Sequence, residues 1–360
     1  MVDPKPLAGD LDSEDKSYHR SVDVSSSSRL LIWNPEQEGA KDNQISRFSY
    51  WFVSFEGSVH VAVQQSGIKA PGCYRWYAVE LNSPIISVQE ELDQRLPTVR
   101  RALASIQNSI KVWINAQCGF HVHVSPPRGA LDVVVTRRMA ALVLLTEKPL
   151  LLRLCHPCRQ KSPYARPIST HSAIAVKVSA SCEALPVSVP DMERIRKDRA
   201  KGKRARSSAE PVLFRILCAV LSETDGDSLA RGLRAPTNNY GPWADGERCG
   251  IAVSRFGTLE FRYPEATFDV EFLSLWVDLA RRILALAAAP DEQFGKTLFE
   301  LYDMATSDVQ LGWIHWLTSL GMAERADFCK KQISRYSGSL KDLNKRGVLP
   351  PMSSPADNDA

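Results

Sequence analysis

No stretch of this chain has the length and apolar purity of a membrane span. The longest apolar region, residues 131–154, is interrupted by Arg137, Arg138, Glu147, Lys148 and Arg153, charges that suit a helix buried in protein rather than in lipid. Residues 1–27 are polar and acidic without an apolar core, so no secretory signal is visible. Cysteine is present but unorganised. Of eight, only Cys155 and Cys158 lie close together, which does not make a disulfide framework in a chain of 360 residues and fits reduced thiols in an intracellular protein. There is no G-x-x-x-x-G-K-[ST] loop and no G-x-G-x-x-G, so a bound nucleotide would be held by other means. Internal repeats are absent too. The net charge of +4 is too small to name a partner. A composition 44% apolar and 24% charged is that of an ordinary globular protein, with enough apolar material for one large core. These absences place the protein in the cytoplasm, off the membrane. The basic run 194–206 leaves a nuclear address open.

Local patterns divide the chain. Residues 1–47 read as a polar, poorly ordered leader. A main domain covers 48–290, interrupted by a basic loop over 186–210. Helices fill 291–336, and a polar, Pro-rich tail occupies 337–360. Alternation predicts strands at 50–55, 59–63 and 74–81. Leu92, Leu96, Val99, Leu103 and Ile106 predict one helix over 89–110. The strongest helix is expected over 131–154. Another follows Asp269, with Phe272, Leu275, Trp276, Leu279, Ile283 and Leu286 on one stripe. Gly321 marks a stop among the last helices. Strands separated by long helices, without regular βαβ alternation, predict an α+β fold with a mainly antiparallel sheet.

Two strand-like segments carry the chemistry. Cys118-Gly119-Phe120-His121-Val122-His123-Val124 places His121 and His123 on one face, and Thr258-Leu259-Glu260-Phe261-Arg262, within a strand expected over 255–262, does the same for Glu260 and Arg262. If both strands share a sheet, two imidazoles, a carboxylate and a guanidinium converge on a surface able to seat a divalent metal and a phosphate. The plainer alternatives are a pair of ordinary histidines and a surface ion pair. Glu80 closes an apolar strand before Asn82-Ser83-Pro84; it is either a metal carboxylate or a residue on the solvated face. Arg159 and Arg166 bracket Ser162-Pro163-Tyr164-Ala165 and could clamp an anionic substrate, or simply belong to a solvated loop. Cys155-His156-Pro157-Cys158 has C-x-x-C spacing but closes a helix instead of opening one, so a structural role is favoured over a redox one. The basic run has no interleaved aromatics for base stacking, which favours a solvated loop over nucleic-acid binding.

Taken in order, Val79-Glu80-Leu81-Asn82-Ser83-Pro84, then Asn115-x-x-Cys118-Gly119-Phe120-His121-Val122-His123, then Leu259-Glu260-Phe261-Arg262 resemble the amidoligases abundant in fungi. That family lies within the carboxylate–amine ligases that include glutamine synthetase and glutamate–cysteine ligase. His156-Pro157-x-Arg159 followed by Tyr164, and the Trp276-bearing helix, also fit. The resemblance covers roughly residues 51–286. It implies a glutamine synthetase-like catalytic fold, a curved and mainly antiparallel sheet packed with helices, over 48–290. It also implies an ATP- and Mg²⁺-dependent ligase acting through an acyl phosphate on small-molecule or peptide carboxylates and amines. On this resemblance His121, Glu260 and Glu80 are metal ligands; His121, His123 and Arg262 face the nucleotide; Arg262, Arg159 and Arg166 act on phosphate or substrate. Phosphoryl transfer depends on positioning and charge neutralisation, which suits such a set.

One family feature is missing. Residues 1–50 contain no Gly-x-Glu-x-Glu strand, which in the family supplies two further carboxylates. Its loss, by divergence or through a start assigned too late, would weaken a multi-Mg²⁺ site. An active ligase is therefore set beside a catalytically degenerate binding protein that keeps the fold. A nucleic-acid-associated protein using 194–206 ranks third.

Overall fold

The computed structural model describes residues 51–57, 59, 77–110, 112, 114, 118–127, 129–181, 189–201, 207–236, 247–307 and 311–338. The expected leader, the strand at 59–63 apart from Val59, residues 74–76, residues 202–206 and most of the tail lie outside these. The chain divides into two compact units, one of 1–118, 267–274 and 349–360, the other of 119–266 and 275–348.

In the first unit β1 (Phe52–Phe55) pairs antiparallel with β2 (Val79–Asn82), and Ser54 stands opposite Glu80. The single helix expected over 89–110 is two helices, α1 (Gln89–Asp93) and α2 (Pro97–Ser109). Arg95 and Leu96 between them take positive φ values of 59° and 62°. Pro97 disfavours helical backbone in the residue before it. Glu91 fixes the break by accepting from Thr98 N at 2.7 Å and from its hydroxyl at 2.9 Å. Periodicity alone reads through this interruption because the apolar residues on either side keep helical spacing. In the same unit Arg95 and Arg100 both pair with Glu271, at 2.9 and 3.2 Å.

The second unit holds a three-stranded antiparallel sheet of order β3–β5–β4: β3 (Val122–Val124), β4 (Ile251–Val253) and β5 (Leu259–Phe261). His123 lies opposite Glu260 on one side and Ala252 opposite Glu260 on the other. The α+β class and the antiparallel pairing match expectation; the described sheets have two and three strands. The strand expected over 255–262 is shorter, because residues 254–257 form the turn of the β4–β5 hairpin. Gly257 sits there at φ +70°, a conformation glycine adopts without penalty. β4 itself escapes an alternation test, since Ile251 and Ala252 are both buried.

Helix α3 (Val133–Thr146) begins at Asp132, whose side chain accepts from Val135 N at 2.7 Å. Residues Met139–Leu145 are buried on every side, which explains an apolar run with little amphipathic contrast. The helix continues through a π-helical stretch, Glu147–Leu151, to Leu154. Pro149 lies inside that stretch. It lacks an N–H and crowds the preceding turn, so the wider turn accommodates it.

The basic segment expected as a loop contains a helix, α7 (Glu193–Ala200), after the short helices α4 (Pro157–Lys161), α5 (Ile168–His171) and α6 (Ala173–Ala180). Its arginines are occupied within the protein. Arg194 lies over the Phe299 ring at 4.8 Å. Arg199 lies over Phe214 at 3.9 Å and pairs with Glu210 at 3.1 Å. Ile195 is fully buried beneath them. A charge count along the sequence cannot see this packing.

Next come α8 (Glu210–Ser222), α9 (Gly226–Gly232) and α10 (Val270–Ala287). All six residues of the α10 stripe are buried, and Asp269 Oδ1 accepts from Glu271 N and Phe272 N. The C-terminal helices are α11 (Asp291–Thr306), α12 (Trp313–Ser319) and α13 (Ala326–Arg335). Gly321 ends α12 at φ +72°. Among the described residues no helix is long and apolar enough to cross a membrane.

Candidate functional site

Register places the chemistry-bearing residues. β3 and β5 are neighbours, and cross-strand pairing sets His123 against Glu260. The chain just before β3 stays with β5's continuation: Gly119 bridges Glu265, and Phe120 N donates to Pro264 O at 3.0 Å. His121 therefore lands on the same face, with Nδ1 at 3.2 Å from Glu260 Oε1. His123 Nε2 is 3.8 Å from the same oxygen, and its Nδ1 contacts Thr258 Oγ1 at 2.9 Å. Glu260 and Arg262, two residues apart, form a close pair from Arg262 Nη1 to Oε1. Arg262 Nε also donates to Tyr164 O at 3.1 Å. The convergence expected of His121, His123, Glu260 and Arg262 is thus present in one unit.

Two further arginines complete the cluster. Arg248, which the sequence pattern does not single out, sends Nη1 to Glu260 Oε2 at 3.3 Å from just ahead of β4. Arg159, on α4, is only 1% exposed. Its guanidinium donates to the main chain, Nη2 to Arg262 O at 3.0 Å and Nε to Tyr263 O at 3.3 Å. Arg159 thereby supports the segment just past β5 that carries Arg262. Gly119 makes room for it: a Cβ there would stand 2.7 Å from Arg159 Nη2 and 3.1 Å from His121 Nε2.

Arg166 is placed differently. It pairs with Glu247 at 3.3 Å, and its carbonyl accepts from Gly250 N at 2.8 Å. The segment holding both Tyr164 and Arg166 is anchored from below. The buried Glu147 carboxylate accepts from Ile168 N at 2.7 Å, Ser169 N at 3.0 Å and Tyr263 OH at 2.5 Å. Glu80 lies in the other unit, half-buried on β2 opposite Ser54.

Behind the cluster lies Glu265, buried, accepting from His156 N at 2.9 Å and from the Tyr336 hydroxyl. Burial pushes its carboxyl up. His156 Nδ1 accepts from Cys158 N at 3.2 Å and contacts the Cys158 thiol at 2.8 Å. Burial raises both thiols of the C-x-x-C segment, Cys158 to about 12, which makes them inert at neutral pH. Neither Glu265 nor Tyr336 falls in a motif. Their roles arise from contacts across 71 residues of sequence.

Charge decides what the site suits. Three guanidinium groups, of Arg159, Arg248 and Arg262, outnumber the carboxylates of Glu260 and Glu265. Burial pulls the His121 imidazole well below its ordinary value, and Arg262, Arg159, His123 and Arg248 add to that. Burial lowers His123 as well, opposed by Glu260 and reinforced by Arg248 and Arg262. Both rings are therefore neutral at pH 7. Mg²⁺ takes oxygen ligands in an octahedral array. Among the described residues, the face shared by His121 and His123 offers it one carboxylate, Glu260, both of whose oxygens already accept from arginine. Among the described residues no group of three or more His, Cys, Asp and Glu side chains is arranged to hold a metal. The donor set of these described residues does not fit Mg²⁺. It does fit an oxyanion such as a phosphoryl group or a carboxylate.

A profile of the family described as "Putative amidoligase enzyme" matches residues 13–209, more than half of the chain. The match includes Glu80, His121, His123, Arg159 and Arg166 and stops short of Glu260 and Arg262. It also begins inside the segment read as a leader. No curated protein and no solved structure matches.

Proposed function

We propose that this chain, which belongs to the family described as putative amidoligase enzymes, is an ATP-dependent ligase that joins a small-molecule or peptide carboxylate to an amine. ATP supplies the phosphoryl group that makes the carboxylate reactive. The observation that carries the reading is the convergence of His121, Glu260, Arg262 and Arg248 on one end of the β3–β5–β4 sheet, a net positive and partly enclosed surface.

The chemistry asks little covalent work of the protein. A carboxylate oxygen attacks the terminal phosphorus, ADP leaves, and the substrate becomes an acyl phosphate. The amine nitrogen then attacks the acyl carbon. Phosphate departs with the former carboxylate oxygen, and the nitrogen loses a proton. Throughout, negative charge sits on phosphoryl oxygens, and fixed cations that need no reorganisation stabilise it. In this proposal Arg262, locked between Tyr164 O and Glu260, is the fixed cation. Arg248 and His121 complete the ring of donors. Arg159 acts through Arg262 by holding its main chain, and Arg166 orders the adjoining loop. Glu260 aligns the arginines. A glutamine synthetase-like arrangement of the sheet belongs to the same proposal. No step is assigned to Mg²⁺, which the donor set does not fit.

The test is ADP release by the full chain with pooled amino acids or peptides. Release that depends on the pool and falls at least about 100-fold in Arg262→Ala supports the reading, since losing one preorganised donor costs that much. Folded protein that releases no ADP with any pool contradicts it.

A further inference from the structure

We infer that the cluster around Glu260 binds an oxyanion directly, with no bridging divalent cation, and that Arg248 is the arginine that receives it. This deepens the ligase reading of the same site and rests on that reading for its biological meaning only.

The inference follows from which groups are already committed. Glu260 is 1% exposed and both oxygens are taken, Oε1 by Arg262 with His121 nearby and Oε2 by Arg248. A cation entering here would have to displace an arginine and add two charges to a surface already net positive. An anion meets neither obstacle. The arginines also differ in freedom. Arg159 is spent on two main-chain carbonyls and is buried. Arg262 is held at both ends of its guanidinium by Tyr164 O and Glu260. Arg248 makes one side-chain ion pair among the described residues, through Nη1, and its side chain is 48% exposed. A guanidinium carries five N–H donors in a planar fork. Tethered through one of them to an immobile carboxylate, Arg248 keeps a second edge for two oxygens of a tetrahedral anion.

Exposure gives the direction of approach. His121 is partly open and His123 nearly as open as Arg248, whereas Glu260 and Arg262 form the floor. The anion therefore arrives over the two imidazoles and meets Arg248 at the rim. Of possible ligands, inorganic phosphate and the phosphoryl end of a phosphorylated substrate share the required chemistry.

The experiment is calorimetric titration of the full chain with inorganic phosphate in EDTA, repeated in MgCl₂. Saturable binding in EDTA is expected, unchanged or weaker with Mg²⁺. Arg248→Ala should weaken it roughly tenfold or more, the worth of a charge-assisted pair, and Arg248→Lys should restore part of the loss. Thermal unfolding checks that each variant is folded; Arg248→Gln replaces the alanine variant if that one is not. Binding that requires Mg²⁺, affinity unmoved by loss of Arg248, or no saturable binding would each overturn the inference. A chain that binds phosphate yet forms no amide would refute only the ligase reading.

Discussion

Arg248 Nη1 stands 3.3 Å from Glu260 Oε2, so a half-exposed guanidinium is tethered to a carboxylate that solvent does not reach. Glu260 is thereby the shared counter-charge of two arginines, one just ahead of β4 and one just past β5, and it fixes the spacing between them. Replacing it by alanine leaves Arg262 and Arg248 without that anion in a partly enclosed site. Removing one partner from a buried ion pair costs about 3–5 kcal/mol. Urea unfolding of Glu260→Ala should show a loss of that order. The Arg262→Ala, Glu260→Ala double variant should recover part of it, because the buried cation goes too.

Gly119 is a packing requirement, argued from its neighbours. The Arg159 guanidinium that a Cβ would strike is buried and bonded to two carbonyls, so it has no easy retreat. Gly119→Ala should cost about 1–3 kcal/mol as an overpacked site. It should also displace His121, and phosphate affinity should fall with it. An alanine variant with wild-type stability and wild-type phosphate binding would show that the approach is looser than described.

The Tyr336 hydroxyl donates to Glu265, and Glu265 bridges to Gly119. Helix α13 is thus latched to the segment that leads through His121 into β3. Tyr336→Phe removes the donor and leaves a buried carboxyl short of one partner, at a cost of about 1–3 kcal/mol. Hydrogen exchange should report faster opening in α13 before any change in α3.

His156 gives a pH dependence with a definite sign. Burial, reinforced by Arg335, holds its imidazole down at about 4, and its Nδ1 already accepts from Cys158 N. In the unfolded chain the ring protonates near 6.5. The unfolded state therefore binds more protons between those values. Stability from this group is fully present above pH 6.5 and is lost as pH falls toward 4, by on the order of 3 kcal/mol. Glu147 and Glu265, pushed up by burial, act in the opposite direction. The difference between the wild-type curve and that of His156→Gln isolates the histidine. Parallel curves from pH 7 to 4 would contradict it.

Much of the site is legible in the sequence because a strand's period of two is strict. His121 with His123, and Glu260 with Arg262, share faces for that reason, and only their meeting in one sheet needed the structure. The α10 stripe was equally plain, since every third or fourth residue is large and apolar. What alternation and periodicity cannot convey is long-range commitment. Arg159 looks like an exposed clamp in sequence and is instead buried against the main chain of residues 262 and 263. Arg248 precedes a strand too short and too uniformly buried to be recognised. The basic run 194–206 reads as a solvated loop until Phe299, Phe214 and Glu210, from two other helices, occupy Arg194 and Arg199 in its described part. The break at Leu96 is set by Pro97 and Glu91, which local apolar spacing does not register.

In the proposed reaction a carboxylate is activated by phosphorylation and then captured by an amine. Oxygen transfer tests it most directly. With a substrate carboxylate labelled with ¹⁸O on both oxygens, the acyl phosphate route predicts one ¹⁸O in each phosphate released, in step with amide formation and abolished in Arg262→Ala. Amide formed with unlabelled phosphate, or ATP cleaved with no label transferred, would contradict it.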